Sequence, residues 1–380
     1  MRVLIAPDKF KSCMTANQVA AQIAAAVREV HPDAEVDLCP LADGGEGTVQ
    51  ALVSAAGGSF CKQRVTGPLT DMKVEATWGM IPGAAGRVAV IEMSAASGLH
   101  LLREEERNPE LTTTFGTGEL LLAVARQGAR KIILGIGGSA TIDGGIGCCQ
   151  AAAMPVILDE VGPADSNEPL VGMDLPRVVL IKNGRGSALD GVAIEVASDV
   201  SNPLYGEEGA AKVFGPQKGA TPEQVEQFDR WLRQLAMRCG ADEVAQRAGA
   251  GAAGGLGFAM MAFFSATLRP GFNIVAEAVG LESRVLRADL VITGEGRLDA
   301  SSRHGKVPAA VGEMCRGLGR KCVAIVGEAE AGVDWREYFA SVNALTALEP
   351  DRAAAMSRAP ELLQQVTRRV LAEGGASADV

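Results

Sequence analysis

Residues 1–47 read MRVLIAPDKFKSCMTANQVAAQIAAAVREVHPDAEVDLCPLADGGEG, and the order of their patterns decides the fold. Arg2 to Pro7 carries the apolar run of a strand buried on both faces in a parallel sheet. Thr15 followed by Gln18 forms a capping box, and Val19, Ile23, Val27 and Val30 recur along one face of the helix it opens. His31-Pro32 ends that helix, because the residue before proline is pushed out of the helical region. A second strand over about Val36 to Leu41 then runs into the acidic glycine loop ADGGEG. This is a βαβ opening.

Working outward, three more buried strands appear late, at Leu290–Ile292, Cys322–Val326 and about Val342 to Leu345, with helical patterns between them. Two early strands and three late ones predict a five-stranded doubly wound sheet in an α/β protein. The first domain then comprises roughly 1–63 and 288–380, and roughly 64–287 is an inserted α/β domain. Inside the insertion, KVEATWGMI (73–81) and RVAVIEM (87–93) flank the turn-like PGAAG, which predicts an antiparallel hairpin and hence a mixed sheet. KIILGIGG (131–138) and GVAIEVASD (191–199) read as further buried strands. Thr221, Pro222 and Gln224 open another capped helix, which Gly240 closes.

At 380 residues and 47% apolar, the chain is long enough for two cores. A net charge of -10 sets it against nucleic acid and anionic membrane surfaces, which are themselves negative. No run approaches the roughly 20 apolar residues of a membrane span, and the apolar core of MRVLIAPD is too short for a signal peptide. Eight scattered Cys without a C-x-x-C, beside three His, do not make a zinc site. Free buried thiols and a cytoplasmic location are expected instead.

Chemistry concentrates in three loops that follow β-like runs: ADGGEG (42–47), GIGGSATIDGG (135–145) and TGEGRLD (293–299). Glycine lets the backbone approach an anion and aim N–H groups at it. Carboxylates beside such loops imply a bound cation such as Mg²⁺, since they would otherwise repel the anion. GAGAAG (249–254) fits the dinucleotide fingerprint but follows the helical ADEVAQRA, not a strand, so its glycines suit tight packing or a substrate-facing loop better. There is no Walker A motif, and GGSAT lacks the last glycine of G-x-S-x-G, which leaves it as a hydroxyl-rich anion loop.

Lys218 in GPQKGAT stands just before a capped helix, as an anion-binding group or a solvated loop lysine. Lys11 and Asp8 lie where the first strand meets its loop, the edge at which doubly wound sheets take ligands. Asp199 reads as a general base, a Mg²⁺ ligand or an Asx turn leading to Asn202-Pro203. Glu295, Arg297 and Asp299 are similarly open, as are His304 and Lys306 in HGKV.

Taken in order, APDKFK, LADGGEGTVQA, VTGPL, VIEMSAASGL, NPELTTTFGTGEL, GIGGSATIDGG, SDVSNPL, VFGPQKGAT, GAGAAGGLG, LRPG, ITGEGRLD and HGKVP resemble the motifs of the bacterial glycerate kinases of the D-glycerate 2-kinase type. The likeness runs from about residue 1 to about 327. It implies a flavodoxin-like domain interrupted by a second α/β domain, with the active site between them. It also implies Mg²⁺-dependent transfer of the ATP γ-phosphoryl group to D-glycerate, usually at the 2-hydroxyl, giving 2-phosphoglycerate. D-glycerate and ATP are then the partners, without nucleic acid or membrane, and a homo-oligomer stays open.

On that chemistry, Asp199 orients or deprotonates the substrate hydroxyl, while Lys11 and Arg297 bind anionic oxygens. Asp8 serves substrate, phosphate or Mg²⁺, and Asp43, Glu46 and Glu295 are the metal candidates. Gly137, Gly138, Ser139, Thr141, Asp143 and Gly144 form the phosphate loop, with Lys218, His304 and Lys306 as further anion contacts. The chain departs from the family pattern where Lys9 replaces Ser, where Ile142 replaces Asn, in a shortened 150–185 segment, and after Gly327, where the likeness fades. Two alternatives follow: a kinase for another small hydroxy acid, or a weakened paralogue that binds ligand as a sensor.

Overall fold

The computed structural model describes residues 1–159, 162–182, 187–303 and 306–375. The chain divides into two compact units, one of Met1–Asp43, Gln50–Gly57 and Phe272–Val380, the other of Gly44–Val49 and Gly58–Gly271.

The first unit opens with β1 (Arg2–Ile5), a helix at Ala16–Val30 and β2 (Glu35–Leu38). The capping box closes in both directions: Gln18 N–H donates to Thr15 Oγ1 at 3.2 Å and Thr15 N–H to Gln18 Oε1 at 2.9 Å.

The second unit runs through β3 (Ser59–Thr66), β4 (Lys73–Ile81), β5 (Val88–Glu92) and β6 (Lys131–Gly135). Then come the short β7 (Val156–Leu158), β8 (Gly162–Pro163) and β9 (Val178–Ile181), followed by β10 (Ala193–Ala197) and β11 (Thr267–Arg269). Six of these form one sheet in the order β11-β10-β6-β5-β4-β3. It is mixed as expected: parallel from β11 to β5, then antiparallel through the β4–β5 hairpin, where Gly79 faces Val90. β7, β8 and β9 make a small antiparallel sheet in the segment for which the sequence suggested no element.

Returning to the first unit, the chain adds β12 (Leu290–Thr293), β13 (Arg297–Leu298), β14 (Cys322–Val326), β15 (Glu328–Ala329) and β16 (Ser341–Ala344). The two early strands and three of the late ones share a five-stranded sheet, ordered β16-β14-β12-β1-β2, with every neighbouring pair parallel. Val3, Ile5, Ile292, Val323 and Ile325 pack against Val19, Ile23 and Val27 and against Leu362, Leu363 and Val366 of the helix Ala359–Gly375. The alternating Leu4, Val291 and Ala324 are fully buried and point to the opposite face, where the helix Val307–Gly317 meets β12 and β14.

Apart from residues 44–49, which belong to the second unit, the units change over at 57/58 and 271/272, where the sequence reading expected about 63/64 and 287/288. All eight residues of β3 pair with β4, which puts the strand wholly in the second unit. At the far boundary, Arg284 on the helix Leu281–Arg287 donates to Asp37 Oδ1 and to Ala55 O, each at 2.8 Å, and so binds that helix into the first unit. No helix of the described residues is long and apolar enough to cross a membrane.

Candidate active site

Parallel pairing brings the carboxyl ends of β1 and β12 to one edge of the first sheet, the edge where α/β sheets take ligands. The two loops leaving that edge are tied together: Asp8 N–H donates to Gly294 O and Thr293 Oγ1 to Ala6 O, both at 2.8 Å. A Cβ on Gly296 would fall 3.2 Å from both Lys11 N and Phe10 Cα, a tight contact, so the TGEGRLD loop lies close against residues 10–11. The structure thus brings Lys11, an exposed residue, beside the Glu295–Arg297 turn.

Carboxylates crowd this edge. Asp8 is 8% exposed, and its carboxyl is pushed up to about 7, first by burial and then by Asp43, with Glu295 adding to the rise. The Lys9 N–H, donating to Asp8 Oδ1 at 2.7 Å, and the Lys9 charge oppose it. Glu295 is also buried and shifted upward, first by desolvation, against the Ser302 hydrogen bond and the Lys306 charge. Lys306 Nζ stands 4.0 Å from Glu295 and 3.6 Å from Asp299. At 38% side-chain exposure those pairs contribute under about 1 kcal/mol, which leaves Lys306 able to serve a ligand without loss of the fold. Arg297 Nε lies 3.8 Å from Asp299 with half its side chain in solvent. His304 lies outside the described residues.

A divalent cation fits the donor chemistry here. Asp8, Asp43 and Glu295 are hard oxygen donors in one another's field, and Glu295 Oε1 is buried with no hydrogen-bond partner. Among the described residues no group of three or more His, Cys, Asp or Glu is assembled into a metal cage. Glu46, read as a third metal candidate, is exposed and falls in the second unit with the loop 44–49. That loop is held by Glu92 at the end of β5, whose Oε1 accepts from Gly47 N–H at 3.1 Å and Val49 N–H at 2.8 Å. The sequence reading did not single out Glu92, although a carboxylate ending a buried strand was visible in RVAVIEM.

In the second unit the GIGGSATIDGG loop leaves the carboxyl end of β6. Its residues divide into a surface part and an internal part. Gly138 O accepts from Leu99 N–H at 2.8 Å, and Ala140 N–H donates to Ser97 O at 3.0 Å, so the SAASGL segment braces the first part. Asp143, expected on the phosphate, is completely buried and serves the fold. Its Oδ2 accepts from Thr114 N–H at 2.8 Å, Thr114 Oγ1 at 2.7 Å and Gly147 N–H at 3.4 Å, and its Oδ1 from Gly145 N–H at 3.1 Å. Burial raises this carboxyl, and those bonds oppose the rise. Gly144 packs on Leu175, Leu232 and Leu235, and Thr141 is fully buried, so neither faces a ligand as the sequence suggested. Ile142 is a core residue at zero exposure; its exchange for Asn removes no group from a binding surface. GAGAAG seats itself on the same loop: Gly144 N–H donates to Gly254 O at 3.0 Å, and a Cβ on Gly254 would collide with Thr141 O.

Lys218 is neither solvated nor on the surface. It is 2% exposed, and its Nζ donates to Ser139 Oγ at 2.8 Å and Thr141 O at 2.7 Å. Burial pushes the ammonium from its ordinary 10.5 down to about 7, against the Asp143 charge. A lysine held low in the folded state leaves the unfolded chain binding more protons between those two values, so this residue's contribution to stability rises as pH climbs from about 7 to about 10. Lys218→Met lacks that term. Unfolding free energies at both ends of the window should therefore show wild type gaining on the variant as pH rises, and equal slopes would contradict the buried charge.

Asp199 follows β10 at the carboxyl edge of the second sheet. Its exposed side chain accepts from Gly271 N–H at 2.9 Å through Oδ1, at the start of the helix Gly271–Ala278. That contact lies 72 residues away in sequence.

Comparison with known proteins places this geometry. The glycerate kinase family pattern matches residues 3–373. The Bacillus subtilis (strain 168) glycerate kinase is 41% identical over 382 residues, covering 98% of this chain and 97% of its own. The Escherichia coli (strain K12) glycerate 2-kinase is 42% identical over 340 residues, covering 86% and 85%. A crystal structure from Salmonella typhimurium LT2, provisionally named glycerate kinase 2, superposes with a TM-score of 0.86 at 40% identity over 100% of both chains. The chain belongs to the glycerate kinase family.

Proposed function

We propose that this chain transfers the γ-phosphoryl group of ATP to the 2-hydroxyl of D-glycerate, giving 2-phosphoglycerate, with Mg²⁺ as cofactor. The observation that carries the reading is the desolvated carboxylate pair Asp8 and Glu295 at the ligand-taking edge of a parallel sheet, in a chain of this family. In order of appearance the strands of the first unit run 2-1-3-4-5, which supports a flavodoxin-like domain split by an inserted one. Unpaired, largely buried thiols support a cytoplasmic setting.

Phosphoryl transfer asks the protein to hold donor and acceptor in line and to neutralise charge on the transferred oxygens. Asp199 accepts the proton of the glycerate 2-hydroxyl as that oxygen bonds to the γ-phosphorus and the bond to ADP breaks. Lys11, Arg297 and Lys306 bind anionic oxygens of the two substrates. Asp8, Asp43 and Glu295 are the residues that would hold Mg²⁺, directly or through its waters. When bound, Mg²⁺ supplies charge neutralisation on the phosphate oxygens. The backbone of Gly137 and Gly138 offers donors for an anion.

An acceptor panel tests the substrate. D-glycerate should give the highest kcat/KM when compared with L-glycerate, glycolate and lactate. A clear preference for another acid would transfer the assignment to that hydroxy acid.

A further inference from the structure

Ser302 follows the TGEGRLD loop and is fully buried. Its hydroxyl has one hydrogen and two lone pairs, and the fold occupies all three. Asp299 N–H, which can only donate, reaches Oγ at 3.2 Å, and Lys306 Nζ donates to it at 3.4 Å. The hydrogen goes to Glu295, whose carboxyl this bond pulls down against desolvation, the sign expected where a serine donates to the ionised form. Glu295 Oε1 is buried without a hydrogen-bond partner, so the bond falls on Oε2, the oxygen that Lys306 faces at 4.0 Å. One oxygen of a carboxylate only 7% exposed is thereby tied inward, and the other is left bare. The next residue fixes the serine from outside the loop. Arg303 Nη2 donates to Asp334 O, and its guanidinium lies over the Trp335 ring, 5.4 Å from the centroid. Trp335 is itself buried against Tyr338 and Phe339, with ring centroids at 5.8 and 6.1 Å. Ala300 N–H adds a bond to Glu330 Oε2 at 3.0 Å, and Glu330 N–H one to Leu298 O at 2.9 Å.

We propose that Ser302 is a positioning residue for Glu295, holding Oε2 so that Oε1 is presented to Mg²⁺ or one of its waters, and that Arg303 is the clasp that keeps the serine in place. The inference rests on the kinase reading above. Without the hydroxyl, the Glu295 carboxylate is free to turn both oxygens toward Lys306, and the acceptor for the cation is lost. The same hydroxyl keeps Lys306 beside that carboxylate without a tight ion pair, so one small side chain sets the spacing of an acid and a base in the loop. A hydrogen bond behind a metal-facing carboxylate is worth more than its share of fold stability, because it fixes the direction of the ligand oxygen.

The test uses the full chain and three variants: Ser302→Ala, Ser302→Thr and Arg303→Leu. Calorimetric Kd values for ATP are measured with saturating Mg²⁺ and again with EDTA, and their ratio reads how much the cation adds to nucleotide affinity. In Ser302→Ala that ratio should fall about 10-fold, the usual loss when the partner behind a metal ligand is removed. Ser302→Thr, which keeps the hydroxyl, should restore most of it, and Arg303→Leu should lower the ratio in the same direction. A merely structural serine would lower the melting temperature and leave the ratio alone. An unchanged ratio in folded Ser302→Ala overturns the proposal, and so does a Thr variant no better than Ala. If Ser302→Ala does not fold, Arg303→Leu, altered at an exposed residue, decides: an unchanged ratio there overturns the clasp and the positioning with it. Wild-type protein that does not bind ATP, or binds it equally with and without Mg²⁺, overturns the kinase reading itself, a result distinct from a wild-type Mg²⁺ dependence that Ser302→Ala leaves intact.

Discussion

Asp199→Asn is expected to lower kcat about 100-fold or more, the usual worth of a positioned general base. The exchange is clean for a structural reason. Asp199 Oδ1 accepts the Gly271 N–H at 2.9 Å, and the amide oxygen of Asn can keep that bond. The helix Gly271–Ala278 therefore retains its support, while the group loses its charge and its capacity to take a proton. Asp199→Ala provides the contrast, since it removes the cap as well and should cost about 1 kcal/mol of stability in addition. Steady-state kinetics together with thermal melts separate the two effects. A folded Asn variant turning over within a few-fold of wild type would leave Asp199 as a helix support and nothing more.

Asp143→Ala should destabilise the chain by about 3 kcal/mol or more. Its carboxylate takes bonds from Thr114 N, Thr114 Oγ1, Gly145 N and Gly147 N at zero exposure. Deleting it strands backbone donors away from water, at about 1–3 kcal/mol for each group left unpaired. The Thr114 hydroxyl also accepts from Cys148 N–H at 2.9 Å, so the damage extends into the helix Ile146–Ala151. Asp143→Asn should cost less. With its oxygen in the Oδ2 position it keeps three of the bonds and sets an NH₂ group only against Gly145 N–H. Urea unfolding of the two variants checks this order. Wild-type stability in Asp143→Ala, with a loss confined to ligand binding, would restore Asp143 to the phosphate.

What could be read from the sequence was whatever local physics writes locally. Buried parallel strands such as Val3–Ala6 and Cys322–Val326 are near-continuous apolar runs, and capping boxes at Thr15 and Thr221 need only four neighbouring residues. β7, β8, β13 and β15 are two or three residues long, too short to show a period, and they exist only through their pairing. β3, SFCKQRVT, has no regular polar–apolar alternation, so its membership was decided by β4 and not by its own composition.

At the site, the placing of Asp8, Glu295 and Asp199 followed from strand ends. Which polar groups the fold itself uses did not. Asp143 and Ser139 stand four residues apart in one glycine-rich loop, yet one is sealed among backbone donors and the other meets the buried Lys218. Lys218 lies 79 residues from the serine it grips, a distance over which spacing carries no signal. Ile142 reads as a lost polar ligand only while the loop is assumed to face solvent at every position; the hydrophobic core claims it.

The most direct measurement is a coupled ADP-release assay of the wild-type chain with ATP, Mg²⁺ and D-glycerate, followed by phosphorus NMR of the product. Turnover to 2-phosphoglycerate is the predicted result. Folded protein that binds ATP and leaves D-glycerate untouched, or that returns 3-phosphoglycerate, would contradict it.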